Sequence, residues 1–193
     1  MKYINSYLSK HCSSELQSLI CQSKNPLKEI SESYGAYKNL APFIDIKNRD
    51  HAYLCIGDGS LCITGAMFAF LTKGQSISID PLANLDKLAY WTYYHRVENF
   101  VVQKMRFEEI DTSILNGRKY TIVCVHAHVN LESVNKKVPN WDYLYTNPCC
   151  KRDQQTFTLQ YQKENFISCI VCDRDANILS DKNEVLIYRK ELT

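Results

Sequence analysis

The sequence has no run of about 18 or more apolar residues, the length that a membrane-spanning helix needs. It also has little net charge, since 23 Lys and Arg stand against 21 Asp and Glu in 193 residues, for a formal charge of +2. So small a net charge does not by itself indicate nucleic-acid binding, because such binding depends on clustered basic residues. Internal repeats and low-complexity segments are lacking as well. The length suits one domain around one core.

The first residues, MKYINSYLSKHCSSELQ, lack the apolar stretch and cleavage site of a secretory signal. We therefore expect a cytoplasmic location, in a reducing compartment where the nine cysteines are thiols. The apolar fraction of 45% and the charged fraction of 23% are typical of a globular protein.

Two parts of the chain differ in their hydrophobic pattern. Residues 1–50 show helical spacing, interrupted at Asn25-Pro26, and predict a helical N-terminal arm. Residues 51–193 show short apolar strands separated by helices or loops, which predicts a βαβ series. The predicted strands are 52–56, 76–80, 99–103, 119–126, 142–146, 166–172 and 184–190.

The gaps between the first five strands are long enough for parallel crossovers, whereas the last two strands suit a hairpin. The expected fold class is α/β, a three-layer sandwich with a mostly parallel seven-stranded sheet and a C-terminal antiparallel hairpin. This layout resembles the Rossmann-like fold of class I S-adenosylmethionine-dependent methyltransferases.

The stretch AYLCIGDGSLCITGAMFAF, residues 52–70, joins the first strand to a helix through a glycine turn. Gly57 and Gly59 permit a tight turn and close backbone approach to a ligand at the helix N-terminus. The next strand ends in Asp80, where doubly wound folds bind ribose hydroxyls. Asp80 could instead cap a turn before Pro81. Together the turn and the acid favour a nucleoside ligand.

The resemblance to methyltransferases implies that this ligand is S-adenosylmethionine, held by Gly57, Asp58, Gly59 and Asp80. A nicotinamide dinucleotide is the alternative. Many methyltransferases place an acid two residues before the first glycine, to meet the methionine ammonium, but this chain has Cys55 there. Asp58 is a possible substitute. Acids also follow the third strand, where Glu108 and Glu109 could approach the adenine amino group.

Two further polar clusters follow the fourth and fifth strands. The stretch YTIVCVHAHVN, residues 120–130, ends in His126, His128 and Asn130, and DYLYTNPCC, residues 142–150, supplies Asn147 and Cys149. Because the carboxyl ends of parallel strands share one edge of a sheet, we expect both clusters to face one pocket. These five residues are the candidate catalytic residues.

The stretches VHAH and PCC resemble a branch of methyltransferase-like proteins with a Leu-His-x-Cys-Gly strand end and a later Cys-Cys-Tyr. That branch includes the eukaryotic tRNA 2′-O-methylase of the acceptor stem. The resemblance carries over His126, Cys149 and Cys150. The Cys-Gly after the histidine and the final Tyr are replaced here by His128-Val129 and Lys151.

Three chemistries suit these residues, and packing is the alternative to all of them. A histidine could take a proton from the methyl acceptor. The histidines and cysteines could bind zinc, although adjacent cysteines chelate poorly. Cys149 could add to a pyrimidine ring, as in cytosine carbon-5 methyltransferases. We assign no resident metal.

RNA is the expected methyl acceptor, because AYWTYYHR, residues 89–96, offers aromatic side chains for base stacking and basic pairs flank the predicted loops. A helix packed on the sheet would explain the same aromatics. The alternative function is a catalytically inactive binding or scaffold protein of the same fold. It would act through RNA or through a protein partner of the N-terminal arm.

Overall fold

A computed structural model of the protein describes residues 1–115, 118–149 and 152–191. It contains a seven-stranded sheet in the order β3-β2-β1-β4-β5-β7-β6. The strands are β1 (His51–Ile56), β2 (Gln75–Ile79), β3 (Phe100–Gln103), β4 (Lys119–Val125), β5 (Trp141–Asn147), β6 (Ile167–Arg174) and β7 (Glu184–Lys190).

The first five strands are parallel, and β7 pairs antiparallel with both β5 and β6. The α/β class, the seven strands and the terminal hairpin are therefore confirmed. The hairpin inserts β7 next to β5 and leaves β6 at the edge of the sheet. Because β1, β2, β4 and β5 run parallel, their carboxyl ends lie at one edge of the sheet.

Seven α-helices accompany the sheet in the described residues. They are α1 (Lys2–Leu8), α2 (Ser13–Ile20), α3 (Pro26–Leu40), α4 (Ile63–Leu71), α5 (Leu85–His95), α6 (Leu131–Lys137) and α7 (Leu159–Glu164). Short 3₁₀ turns occupy Phe107–Glu109, Thr112–Leu115 and Arg152–Gln155. Pro26 at the first turn of α3 fits the predicted break, because proline is tolerated where no helical N–H bond is needed.

Each face of the sheet has its own apolar core. Side chains alternate along a strand, so Tyr53 and Cys55 of β1 face one core while Leu54 and Ile56 face the other. Helices α1 to α5 cover the first face, and α6 and α7 cover the second. The burial of β1 on both faces is typical of a central parallel strand.

The N-terminal helices share the first core with the rest of the chain. Trp91 of α5 donates its Nε1–H to the carbonyl of Glu15 at 2.9 Å, and Ser33 of α3 bonds to Thr64 of α4 at 3.0 Å. The division into an arm of residues 1–50 and a domain of residues 51–193 stays a prediction, as does a protein partner for the arm. No helix within the described residues has the length and apolar character to cross a membrane.

Candidate cofactor and substrate site

The turn after β1 is tight because two glycines adopt left-handed conformations. Gly57 has φ +68° and Gly59 has φ +71°. The Gly57 N–H donates to the Ile79 carbonyl at 2.9 Å, which ties the turn to the end of β2. A Cβ atom at Gly57 would lie 2.8 Å from the Cβ of Ala127, whereas one at Gly59 would meet nothing within 4 Å. Close packing therefore requires glycine at 57, while backbone conformation alone favours it at 59.

Asp58 turns its carboxylate inward, against the start of α4. Its oxygens accept hydrogen bonds from the N–H groups of Thr64 at 2.9 Å and Gly65 at 2.7 Å, and from the Ser78 hydroxyl at 2.6 Å. Burial raises the pKa of Asp58 to about 6, although these hydrogen bonds lower it in part. Asp58 thus fastens the turn to α4 and β2, and both of its oxygens already have protein partners.

Asp80 shapes the same turn from the end of β2. Its Oδ2 accepts the Gly59 N–H at 2.8 Å, and its Oδ1 accepts the Leu82 N–H at 2.7 Å. This is the turn-capping contact that the position before Pro81 suggested. A carboxylate oxygen can accept two hydrogen bonds, so capping leaves capacity for ligand hydroxyls. Asp80 also lines a cavity.

The Asp80 cavity has a volume of about 400 Å³ and lies between the ends of β1, β2 and β4. Its walls combine apolar side chains with a few polar groups, an arrangement typical of small-molecule sites. Glu108 lines it, whereas Glu109 instead accepts the Arg106 backbone N–H at 3.3 Å. The lining residues that matter most are Ile79, Asp80, Phe107, Glu108, Ala127 and His128.

A second cavity, the Glu29 cavity, opens on the other side of the glycine turn. Its volume is about 530 Å³, and it is lined by Gly57, Gly59, the first turn of α4 and one side of α3. Helix α3 contributes Lys28, Glu29 and Glu32. The two cavities share Gly57 and His126, so they meet at the turn.

His126 follows β4 in a left-handed conformation, with φ +51°. This backbone is uncommon for a residue with a Cβ and persists only where the surroundings enforce it. The His126 N–H donates to the Asn147 carbonyl at 3.1 Å, and its Nε2 lies 2.7 Å from Oε1 of Glu32. Its Nδ1 is buried without a hydrogen-bond partner. His126 is thereby held between β5 and α3.

Glu32 is a buried acid on α3, with 2% of its side chain exposed. It contacts Nζ of Lys28 at 3.1 Å as well as His126. Burial by itself would raise the pKa of Glu32, but the hydrogen bond and charge of His126, together with Lys28, hold it below its ordinary value. Glu32 is therefore an ionised group with two cationic or hydrogen-bonding partners.

The other predicted catalytic residues lie apart from one another. His128 lines the Asp80 cavity. Asn130 caps α6, where its side chain accepts the Ser133 N–H at 3.0 Å. Asn147 is buried and donates Nδ2–H to the carbonyls of Lys182 and Glu184, at 2.9 and 2.5 Å. Asn130 thus caps the start of α6, and Asn147 fixes the backbone at the start of β7.

Cys149 does approach His126, as the predicted common pocket requires. Its thiol lies 3.7 Å from the His126 carbonyl, and its N–H donates to the buried Gln155 at 2.7 Å. A third cavity of about 420 Å³, the Cys149 cavity, is lined by Cys149, His126, Lys28 and residues 179–182. Cys150 lies outside the described residues. Among the described residues, no group of three or more His, Cys, Asp or Glu is arranged to hold a metal ion.

Lys28, Glu29 and Glu32 were missed from the sequence. They lie on α3, far along the chain from the strand ends whose residues line the same cavity. The sequence did contain one signal. Glu29 and Glu32 are three residues apart, so they are neighbours on one side of a helix, where like charges repel each other.

No protein-family model matches this chain, and no curated protein matches it in sequence. Solved structures do match. A protein from Pyrococcus horikoshii, described provisionally as an RNA methyltransferase, superposes with a TM-score of 0.61 at 12% identity, over 95% of this chain and 100% of that one. An rRNA methylase from Streptococcus thermophilus superposes with a TM-score of 0.55 at 15% identity, over 82% of this chain and 96% of that one.

A variant of MtNAS solved in complex with S-adenosylmethionine gives a TM-score of 0.50 at 15% identity, over 92% of this chain and 70% of that one. These identities are low, so the likeness concerns the fold. The specific branch with the histidine and Cys-Cys motifs stays a prediction. The strand order and the superpositions show that this chain has the Rossmann-like fold of the class I S-adenosylmethionine-dependent methyltransferases.

Proposed function

We propose that this protein is an S-adenosylmethionine-dependent methyltransferase whose acceptor is RNA. The observation that carries the proposal is the glycine turn with a cavity on each side. Gly57 and His126 belong to both cavities. One cavity combines apolar side chains with Asp80 and Glu108, while the other contains charged residues of α3. S-adenosylmethionine has two corresponding halves, an adenosine and a charged amino acid.

The Asp80 cavity suits the adenosine half. The Asp80 carboxylate is 6% exposed and fixed by two backbone N–H groups, so its remaining lone pairs point from a rigid support. Phe107 and Ile79 supply apolar surface for a base. Glu108 offers an acceptor for an exocyclic amino group. Two carboxylate acceptors beside an apolar surface fit the hydroxyl and amino donors and the flat base of a nucleoside.

When bound, S-adenosylmethionine would supply a methyl carbon on a sulfonium sulfur: the acceptor would attack that carbon in line, the carbon–sulfur bond would break, and S-adenosylhomocysteine would leave as a neutral sulfide. The chain's own residues then have to orient the acceptor, because positioning provides much of the acceleration in such a reaction. His126 and Cys149 line the Cys149 cavity, which shares Lys28 and His126 with the Glu29 cavity. We place the acceptor there, with His126 and Cys149 as its neighbours. His128 faces the nucleoside half, and Asn130 and Asn147 hold the loops in place.

RNA is supported as the acceptor by surface chemistry. Tyr90, Tyr93 and Tyr94 of α5 are 70%, 85% and 68% exposed, so packing on the sheet does not account for them. Tyr90 and Tyr94 stack on each other with ring centroids 6.1 Å apart. Exposed aromatic faces stack on unpaired bases. The superposed structures from Streptococcus thermophilus and Pyrococcus horikoshii are described as RNA methylating proteins.

Calorimetric titration tests the cofactor. We expect the wild type to bind S-adenosylmethionine and S-adenosylhomocysteine with micromolar affinity, and Asp80→Asn to weaken both at least tenfold. Unfolding curves of the variant show whether the turn survives the change. Tighter binding of a nicotinamide dinucleotide than of either ligand would overturn the proposal.

Methyl transfer from labelled S-adenosylmethionine tests the acceptor. Pooled tRNA and rRNA should take up label that ribonuclease removes, and protein fractions should take up none. Label that survives ribonuclease but not protease would replace RNA with a protein acceptor.

A non-catalytic binding protein is the second candidate. Two observations favour it. Cys55 stands where many methyltransferases have an acid, and both carboxylate oxygens of Asp58 accept hydrogen bonds from the protein's own donors. Failure of the wild type to bind either cofactor form would select this candidate.

A further inference from the structure

Helix α3 contributes the acid Glu29 to the cavity beside the glycine turn. Within the described part of the chain, the Glu29 side chain makes no hydrogen bond or ion pair, although it is partly buried and lines the Glu29 cavity. Burial and the nearby charge of Glu32 raise the pKa of Glu29, and the charges of Lys28 and His126 offset this rise only in part. A partly buried carboxylate is unfavourable unless a cation or donors compensate it.

The other two acids of this cavity are already compensated. Glu32 contacts Lys28 and His126, and Asp58 accepts from three donors of α4 and β2. Lys28 precedes Glu29 in the helix, but its ammonium forms an ion pair with Glu32, at 3.1 Å. Of the described acids that line the Glu29 cavity, Glu29 is the one whose carboxylate makes no hydrogen bond or ion pair, so its oxygens are open to a ligand.

We propose that Glu29 is the counter-ion for the primary ammonium group of the bound cofactor. The inference rests on the proposed function, because it needs S-adenosylmethionine to lie across the glycine turn. An ammonium donates up to three hydrogen bonds and prefers a carboxylate acceptor. The residue comes from the N-terminal segment, so that segment completes the cofactor site.

The position of Glu29 also accounts for Cys55. The Cys55 thiol is buried under the turn, with 1% of the residue exposed, and burial raises its pKa well above the ordinary value. It therefore offers no charge to the cavity. A charged contact to the amino-acid half then has to come from outside β1, and α3 supplies it.

Two ligands that differ only in their amino-acid half test this inference. S-adenosylhomocysteine carries the ammonium, whereas 5′-methylthioadenosine keeps the adenosine and a neutral sulfur but lacks the amino acid. Calorimetry on the full chain should show Glu29→Gln weakening S-adenosylhomocysteine at least tenfold while 5′-methylthioadenosine changes less than twofold. Glu29→Asp, which keeps the charge on a shorter side chain, should fall between wild type and Glu29→Gln.

Glu15→Gln is the matched control, because Glu15 is a partly exposed acid of α2 that lines none of the three cavities. It should bind both ligands like the wild type. Equal binding of S-adenosylhomocysteine by wild type and Glu29→Gln overturns the inference and leaves the proposed function standing. Equal weakening of both ligands also overturns it, since the effect would not concern the ammonium. Wild type that binds neither ligand overturns the proposed function itself, and the inference with it.

Discussion

Oε1 of Glu32 and Nε2 of His126 lie 2.7 Å apart, although 94 positions separate the two residues in the sequence. The contact joins the middle of α3 to the end of β4. It lies where the Glu29 and Cys149 cavities adjoin, because His126 lines both. A charge-assisted hydrogen bond between groups this well buried is among the stronger polar contacts in proteins.

A double-mutant cycle should therefore detect coupling between these two side chains. We expect Glu32→Gln and His126→Asn to interact by about 1 to 3 kcal/mol in the free energy of unfolding. Asparagine suits position 126 because it tolerates the left-handed backbone. Urea unfolding of the wild type, both single variants and the double variant gives the coupling. Additivity within about 0.5 kcal/mol would show that the contact contributes nothing.

The two buried acids should affect stability in opposite directions with pH. The pKa of Glu32 is lowered in the folded protein, so its contribution is complete above the unfolded value of about 4.3 and is lost as pH falls through the folded value. The pKa of Asp58 is raised to about 6. The folded state then holds the extra proton, and stability from Asp58 falls as pH rises from about 4 to 6.

Unfolding free energies measured from pH 3 to pH 7, roughly the range over which carboxylates titrate, separate these effects. The unfolding free energy of the wild type minus that of Glu32→Gln should increase with pH across the lower part of the range. The unfolding free energy of the wild type minus that of Asp58→Asn should decrease with pH across the upper part. If both free-energy differences changed with pH in the same direction, the environments assigned to Glu32 and Asp58 would be contradicted.

Gly57 and Gly59 form a natural pair for testing the turn. Both have positive φ, so alanine strains the backbone at either position by about 1 kcal/mol. Only at Gly57 would the new Cβ also meet Ala127, at 2.8 Å. We expect Gly57→Ala to cost about 1 to 3 kcal/mol more than Gly59→Ala in thermal or urea unfolding. If both variants lost the same amount of stability, the loop after β4 would have to move away from the new Cβ atom at position 57.

The exposed tyrosines of α5 give a prediction for RNA binding. Replacing both Tyr90 and Tyr94 by alanine should weaken binding of single-stranded RNA at least tenfold, since stacking contributes about 1 to 3 kcal/mol per base. S-adenosylhomocysteine binding and stability should not change. Fluorescence anisotropy with labelled RNA measures the effect. Leu159→Ala, at a residue of α7 that is 77% exposed, is the control. Wild-type RNA affinity in the tyrosine variant would remove α5 from the RNA surface.

The sequence by itself determined the order of strands and helices, because apolar runs, turn residues and gap lengths are local properties. It also predicted the glycine turn and the position of Asp80, since these follow directly from where β1 and β2 end, while their part in cofactor binding stays a prediction. The same reasoning located His126 and Cys149 at neighbouring strand ends, which the Cys149 cavity brings together.

Tertiary structure decided what those residues contact. Asp58 looked available to a ligand, but the start of α4 uses both of its oxygens. Asn147 followed a strand at the expected edge, yet β7 lies beside β5 and engages its amide through the carbonyls of Lys182 and Glu184. Glu29 and Glu32 reach the site only because α3 packs across the ends of β4 and β5. Contacts of that kind depend on which surfaces bury each other in three dimensions, and no local pattern in the chain encodes the pairing.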